Sequence, residues 1–325
     1  MSLTRRNIFS LATAATLTGL AAPQILTRAV FADVPLSGVS SPGFHRFMLG
    51  DFQITVLLDG LRAGEAPQKT YAINQPEEAV ADLLQANLLP ADRFVNGFTP
   101  TLVNTGSELI LFDTGMGAAA RENGQGKLPA MIEATGYKPE QVTIVVLTHF
   151  HPDHIGGLME NGAPAFANAR YVTGQAEYDF WTSPDRAGTP AEGVQKIVLA
   201  NVKPLADKTS FLKDGDAVVS GITALAAFGH TPGHMAFRVE SGGKQLILIA
   251  DTANHFVITL QRPEWHVVFD ADKEIAAATR KRIFDMIASE RLPFIGYHMP
   301  FPAIGYLQAM DQGYRYVPGS YQLDL

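Results

Sequence analysis

Apolar residues along this chain gather into short runs, and many of these runs stop at a glycine, an aspartate or a histidine. Phe52-Gln53-Ile54-Thr55-Val56-Leu57 alternates imperfectly and predicts a strand ending at Asp59-Gly60. Thr101–Asn104 and Leu109–Phe112 predict two more, joined by the turn Thr105-Gly106-Ser107. Val142–Leu147 is a continuous run rich in β-branched residues, as a strand buried on both faces requires. Ile222–Ala227, Phe237–Val239 and Leu246–Ala250 predict a second strand-rich half, and Phe294-Ile295-Gly296-Tyr297 is the last short apolar run. Helical spacing occurs where Pro76-Glu77-Glu78 opens a segment running to about Asn87, with acids in the first turn as the helix dipole prefers. It recurs from Asp272 to Glu290, where Ile275, Ala278, Ile283, Met286 and Ile287 fall on one stripe. Two groups of strands, with helices between and after, predict an α/β fold of two packed sheets with helices outside. No repeat, low-complexity tract or composition shift divides residues 33–325, which read as one domain.

Residues 1–32 follow a different pattern. Thr4-Arg5-Arg6-Asn7-Ile8-Phe9 sets paired arginines before a mildly apolar stretch, Ile8 to Ala22, too short and too rich in Ala and Thr to anchor stably in a bilayer. Val30-Phe31-Ala32 ends in small residues suited to signal peptidase, so the mature chain is expected to start at Asp33. The arginine pair resembles a twin-arginine export signal, which implies a periplasmic or secreted protein that crosses the membrane already folded.

Composition narrows the chemistry. The absence of cysteine excludes disulfides, thiolate metal sites, iron–sulfur clusters and a cysteine nucleophile. A formal charge of −7, made more acidic by removal of a leader with three arginines, argues against a nucleic-acid partner and against a nuclease. What remains is concentrated in Leu147-Thr148-His149-Phe150-His151-Pro152-Asp153-His154-Ile155-Gly156-Gly157. A buried strand ends there, and Pro152 forbids continuing its ladder, so three imidazoles and a carboxylate fall on a loop. His149 and His151 are two apart and, in extended backbone, point to one side. After the proline turn, Asp153 and His154 can face elsewhere, towards a second ion. Imidazole nitrogen and carboxylate oxygen are the zinc-type ligands left to a chain without thiols. Further candidates stand at later strand ends, where open sheets place their sites: His230 and His234 in Phe228-Gly229-His230-Thr231-Pro232-Gly233-His234, Asp251 after Leu246–Ala250, and His298.

Taken together, Thr148-His149-Phe150-His151-Pro152-Asp153-His154, Asp113-Thr114-Gly115, Gly229-His230-Thr231-Pro232-Gly233-His234, Asp251 and His298 resemble the metallo-β-lactamase superfamily in order and spacing. Phe47-Met48-Leu49-Gly50-Asp51-Phe52, Phe180-Trp181, Phe301-Pro302 and Gly313-Tyr314-Arg315-Tyr316-Val317-Pro318 look like the methyl parathion hydrolase group within it. The resemblance implies an αβ/βα sandwich and two divalent metal ions, zinc first, with manganese, cobalt or iron as alternatives. It implies one ion on His149, His151 and His230, the other on Asp153, His154 and His298, and Asp251 bridging both with a shared hydroxide. That hydroxide would attack a carbonyl carbon or a phosphorus while one ion polarises the electrophile's oxygen. Asp153 and Asp251 are then the catalytic carboxylates, Asp153 acting as ligand or as proton shuttle, with the resemblance favouring ligand. Asp113 is expected to orient a ligand imidazole from behind. His234 reads as a hydrogen-bonded structural histidine, and His45 and His266 as ordinary ones.

Trp181 and His255 are candidate substrate contacts, with Phe94 and Phe98 weaker ones. Met116–Lys127 and Glu192-Gly193-Val194-Gln195 lack the aromatics that a parathion-hydrolysing pocket should show, which favours lactones and aryl esters over phosphotriesters. The expected partner is a small ester, lactone or phosphotriester, without nucleic acid or stable membrane anchor; a homodimer stays open. Competing readings are a β-lactamase, disfavoured because the lactamases of this superfamily lack the carboxylate at Asp251, and a glutathione-thioester hydrolase, disfavoured because no basic carboxy-terminal region is evident. A non-catalytic metal-binding protein is disfavoured by the complete ligand set.

Overall fold

The computed structural model describes residues 43–320; the expected leader lies outside the described residues. The chain completes one sheet before beginning the other. The first has seven strands in the order Phe44–Leu49, Phe52–Leu57, Thr101–Asn104, Leu109–Phe112, Ile144–Leu147, Arg170–Gly174, Thr209–Leu212. It is antiparallel as far as Leu109–Phe112 and parallel from there on. The second also has seven: Ala217–Val219, Ile222–Ala226, Met235–Ser241, Lys244–Ala250, Phe294–Gly296, Ile304–Ala309, Tyr314–Pro318. Its parallel pairing is Lys244–Ala250 with Phe294–Gly296, and the Lys273–Glu290 helix lies in the crossover between them.

The period of two explains how the sheets stack. In Ile144–Leu147 all four residues are buried, but Ile144 and Val146 join the core between the sheets while Val145 and Leu147 join a separate core under the outer helices. Phe112 and Phe237 meet edge to face across the sandwich, ring centroids 5.2 Å apart. This is the αβ/βα sandwich that the resemblance implies. The Lys273–Glu290 helix forms as expected, capped by Asp272 accepting from the Ile275 amide. Its buried face differs from the expected stripe. Ile275 and Ala278 are exposed, and Ala276, Thr279, Arg280, Ile283, Phe284 and Ile287 point inward. The cause is Arg280, whose fully buried guanidinium donates to Asp270 and to the carbonyls of Pro263 and Trp265. Further strands, Phe44–Leu49 near the start and the Ile304–Ala309/Tyr314–Pro318 hairpin near the end, form where the apolar pattern was too weak to predict them. Among the described residues no helix is long and apolar enough to cross a membrane.

Candidate metal centre

Six strands run towards one edge of the sandwich, and the residues just beyond their ends build the site. Asp113 follows Leu109–Phe112, the histidine loop follows Ile144–Leu147, His230 lies four residues past Ile222–Ala226, Asp251 follows Lys244–Ala250, and His298 lies two past Phe294–Gly296. The sixth strand, Arg170–Gly174, leads into the Gln175–Thr182 helix. Asp113 (φ +61°) and Ala250 (φ +44°) occupy the left-handed region without being glycine, so backbone strain sits at two of these corners.

The predicted ligands converge into two groups. His149, His151, His230 and Asp251 form one, and Asp153, His154, Asp251 and His298 the other; in each, the ligand atoms lie within 4.8 Å of one another. Asp251 belongs to both. Its Oδ1 is 3.2 Å from His154 Nε2, and its Oδ2 is 3.4 Å from His230 Nε2 and 3.1 Å from His298 Nε2. In four of the histidines Nδ1 is held from behind, which turns the Nε2 lone pair inward. His149 Nδ1 donates to the Thr148 hydroxyl, itself donating to Asp113. His154 donates to Asp113, His230 to Asp270 and His298 to the Gly97 carbonyl. Burial holds His149 well below its ordinary pKa and His151 at about 3, so both rings stay neutral. Burial works against the charge of Asp153, but His154 and His298 outweigh it and hold the carboxyl at about 2.

The arrangement fits a pair of divalent cations. His149 Nε2, His154 Nε2 and Asp251 Oδ1 are buried polar atoms with no hydrogen-bond partner, a costly state that a coordinated cation relieves. Against the pull of burial, Asp251 and the neighbouring carboxylates raise His154, His230 (to about 9) and His298, so these rings carry protons that a coordinated cation would displace.

The remaining candidates take other places. His234 stands behind His149, with Nδ1 towards the Ala227 carbonyl and Nε2 accepting from the Asp251 amide. Trp181 is buried behind His151, its indole N–H given to Glu177. His255 is buried too, with Nδ1 accepting from the Val257 and Ile258 amides at the start of a short helix. Neither lines the cavity of about 320 Å³ over the two groups. That wall is made by Arg62, Asn96, Met116, Val194, Asn254 and Phe269. His266 pairs with Glu274 away from the site, and Phe98 packs edge-on against His298.

Several contributors went unseen in the sequence. Asp270 is an isolated carboxylate with no motif around it, visible only once Arg280 and His230 are known to close on it. Asp59 is buried and accepts from the amides of Met116, Gly126 and Leu128, so it shapes the Met116 wall from below. Phe269, 47% exposed, is an aromatic in the cavity that periodicity gave no reason to select.

Residues 99–295 match the model of the metallo-beta-lactamase superfamily. An N-acyl homoserine lactonase of Bacillus cereus is 29% identical over 216 residues, spanning 60% of this chain and 79% of the relative. Among solved structures, AidC, a dizinc quorum-quenching lactonase in complex with its product, superposes with a TM-score of 0.78 at 27% identity, covering 86% of this chain and 98% of that one. The hydrolase AbOPH gives a TM-score of 0.78 at 29% identity, with 87% and 99% covered. With the family match running over more than half of its length and spanning every residue of the two groups except His298, the chain belongs to the metallo-β-lactamase superfamily.

Proposed function

We propose that this protein is a binuclear metal-dependent lactonase that opens the ester bond of lactones, N-acyl homoserine lactones among them, and also hydrolyses aryl esters. The observation that carries the reading is Asp251, one carboxylate with an oxygen turned towards each histidine group. His149, His151 and His230 would hold one ion, Asp153, His154 and His298 the other, and Asp251 both; zinc is favoured by the ligand types and by the dizinc relative. Two divalent ions held there would lower the pKa of a bound water and polarise the acyl carbonyl. The protein's own part is to keep the imidazoles in one tautomer and to exclude water behind them. Asp153 keeps 19% of its side chain exposed and reaches the cavity, where it can carry a proton between the attacking water and the leaving oxygen. A second chamber of about 420 Å³ touches His298 and is lined by Leu61, Leu89, Phe94, Val95, Phe256 and Phe301, which suits an apolar arm on the substrate.

The finer likeness to methyl parathion hydrolases leaves phosphotriesters as a second reading. Met116 and Val194 do face the cavity without a ring, and Phe269 supplies an aromatic surface. Each aromatic pair missing from a wall forgoes about 0.5–1.5 kcal/mol. The test compares kcat/KM for an acyl-homoserine lactone, dihydrocoumarin, p-nitrophenyl acetate and methyl paraoxon on one zinc-loaded preparation. Lactones should lead; a clear preference for methyl paraoxon would replace this reading with the phosphotriesterase one. We also propose export through the twin-arginine leader, with residues 33–325 as the mature hydrolase domain in the periplasm or medium, on the pattern of residues 1–32 alone.

A further inference from the structure

One fully buried carboxylate has no part in the proposed hydrolysis. Glu177 lies on the Gln175–Thr182 helix, and its two oxygens take four hydrogen bonds. Oε1 accepts from the Phe150 amide at 2.9 Å and from Trp181 Nε1 at 2.8 Å. Oε2 accepts from the Thr231 hydroxyl at 2.7 Å and from the Gly233 amide at 2.9 Å. Phe150 is the residue between His149 and His151, and Thr231 follows His230. A single side chain therefore ties together the two loops that carry all three histidines of the first group, one loop from each sheet. The approach is close enough that a Cβ on Gly233 would come within 2.0 Å of the Glu177 nitrogen, so glycine is required there. No cation pairs with this carboxylate among the described residues; four donors stand in for the water it has lost.

We propose that Glu177 is a positioning residue for the first metal group, fixing the spacing of His149 and His151 against His230 while touching neither ion nor substrate. The role rests on the binuclear metal reading of the site. It is selective, because none of its four donors belongs to a residue carrying or flanking the Asp153–His154–His298 set.

Glu177→Gln keeps the shape and removes half of the accepting capacity. If the amide nitrogen turns to Oε1's place it faces two N–H donors. If it turns to Oε2's place, the Thr231 hydroxyl can rotate to accept, but the Gly233 amide loses its partner. The experiment titrates zinc-loaded protein with a competing chelator and reads retained zinc by elemental analysis, alongside the thermal midpoint of the metal-free chain. The variant should hold the first zinc about 10–100-fold more weakly and the second as wild type does. In a His298→Ala background, where only the first group is complete, the same substitution should empty the protein at a chelator level that leaves His298→Ala alone loaded. Thr231→Val, which deletes one donor at constant volume, should weaken the first site by less, and Thr231→Ser should restore it, so the proposal stays testable if Glu177→Gln folds poorly. Variants that keep both zincs with wild-type affinity, or lose both in step with a lower thermal midpoint, would overturn it. A wild-type chain holding fewer than two zincs overturns the metal reading and this role with it, whereas a two-zinc wild type matched by its variants overturns the Glu177 role alone.

Discussion

Asp251 and Asp113 are both buried carboxylates at strand ends, yet they should fail in different ways. Asp251 faces the ligand atoms of both groups, so Asp251→Ala should lower zinc content at both sites and abolish turnover. Asp113 stands behind the ligands; it accepts from His154 Nδ1 and from the Thr148 amide and hydroxyl. In Asp113→Asn the new amide offers hydrogens to groups that already donate, which works against the tautomer that aims His154 inward. We expect zinc affinity or activity to fall by about 10–100-fold with the fold intact. Chelator titration of the two variants side by side checks the contrast; an Asp113→Asn protein with wild-type affinity would reduce Asp113 to a turn residue. Asp251 and Asp113 were legible because each closes an apolar run, leaving a polar side chain where a strand has to stop. Asp270 and Glu177 were not, since each works through partners far away in sequence.

At the scale of elements, the Lys273–Glu290 helix shows why periodicity found the segment and missed its face. An all-apolar stripe through Ile275 and Ala278 is the economical reading, but a buried arginine rotates the helix so that its guanidinium reaches Asp270 and two carbonyls. Sequence pattern ranks arginine as polar and cannot see that its acceptors are waiting inside. Arg280→Met should cost about 3–5 kcal/mol, the usual consequence of removing the cation from a buried pair, here leaving Asp270 with the His230 N–H alone. The loss should appear as a lower urea midpoint in the metal-free chain, with little change in slope. Because Asp270 also holds His230, the same variant should release zinc at a lower chelator concentration. A stable variant would mean that Asp270 finds another donor. The substrate wall was less legible for a related reason. Trp181 reads as an aromatic pocket wall, but it is buried behind His151 with its indole N–H given to Glu177, and it is not among the residues that line the cavity.

At the scale of the molecule, the proposed export signal and the sandwich make one prediction each. Replacing Arg5 and Arg6 with lysine should leave precursor in the cytoplasm, measured by fractionation; unchanged recovery outside would refute the twin-arginine route. The second concerns the order in which the chain is laid down. One sheet is complete at Leu212 and the other begins at Ala217, with an exposed turn between. The first half carries His149, His151, Asp153 and His154, the second His230, Asp251 and His298, so neither half owns a whole site. A protein cleaved once, at a protease site inserted at Asp214-Gly215, would be a heterodimer whose subunits share two ions across their interface. Each ion at a hundred times its dissociation constant adds about 2.7 kcal/mol to that association. The cleaved pair should therefore stay together in moderate urea when loaded and come apart when a chelator is added, as size-exclusion chromatography would show. Equal dissociation with and without zinc would mean that the apolar interface alone makes the two halves one protein.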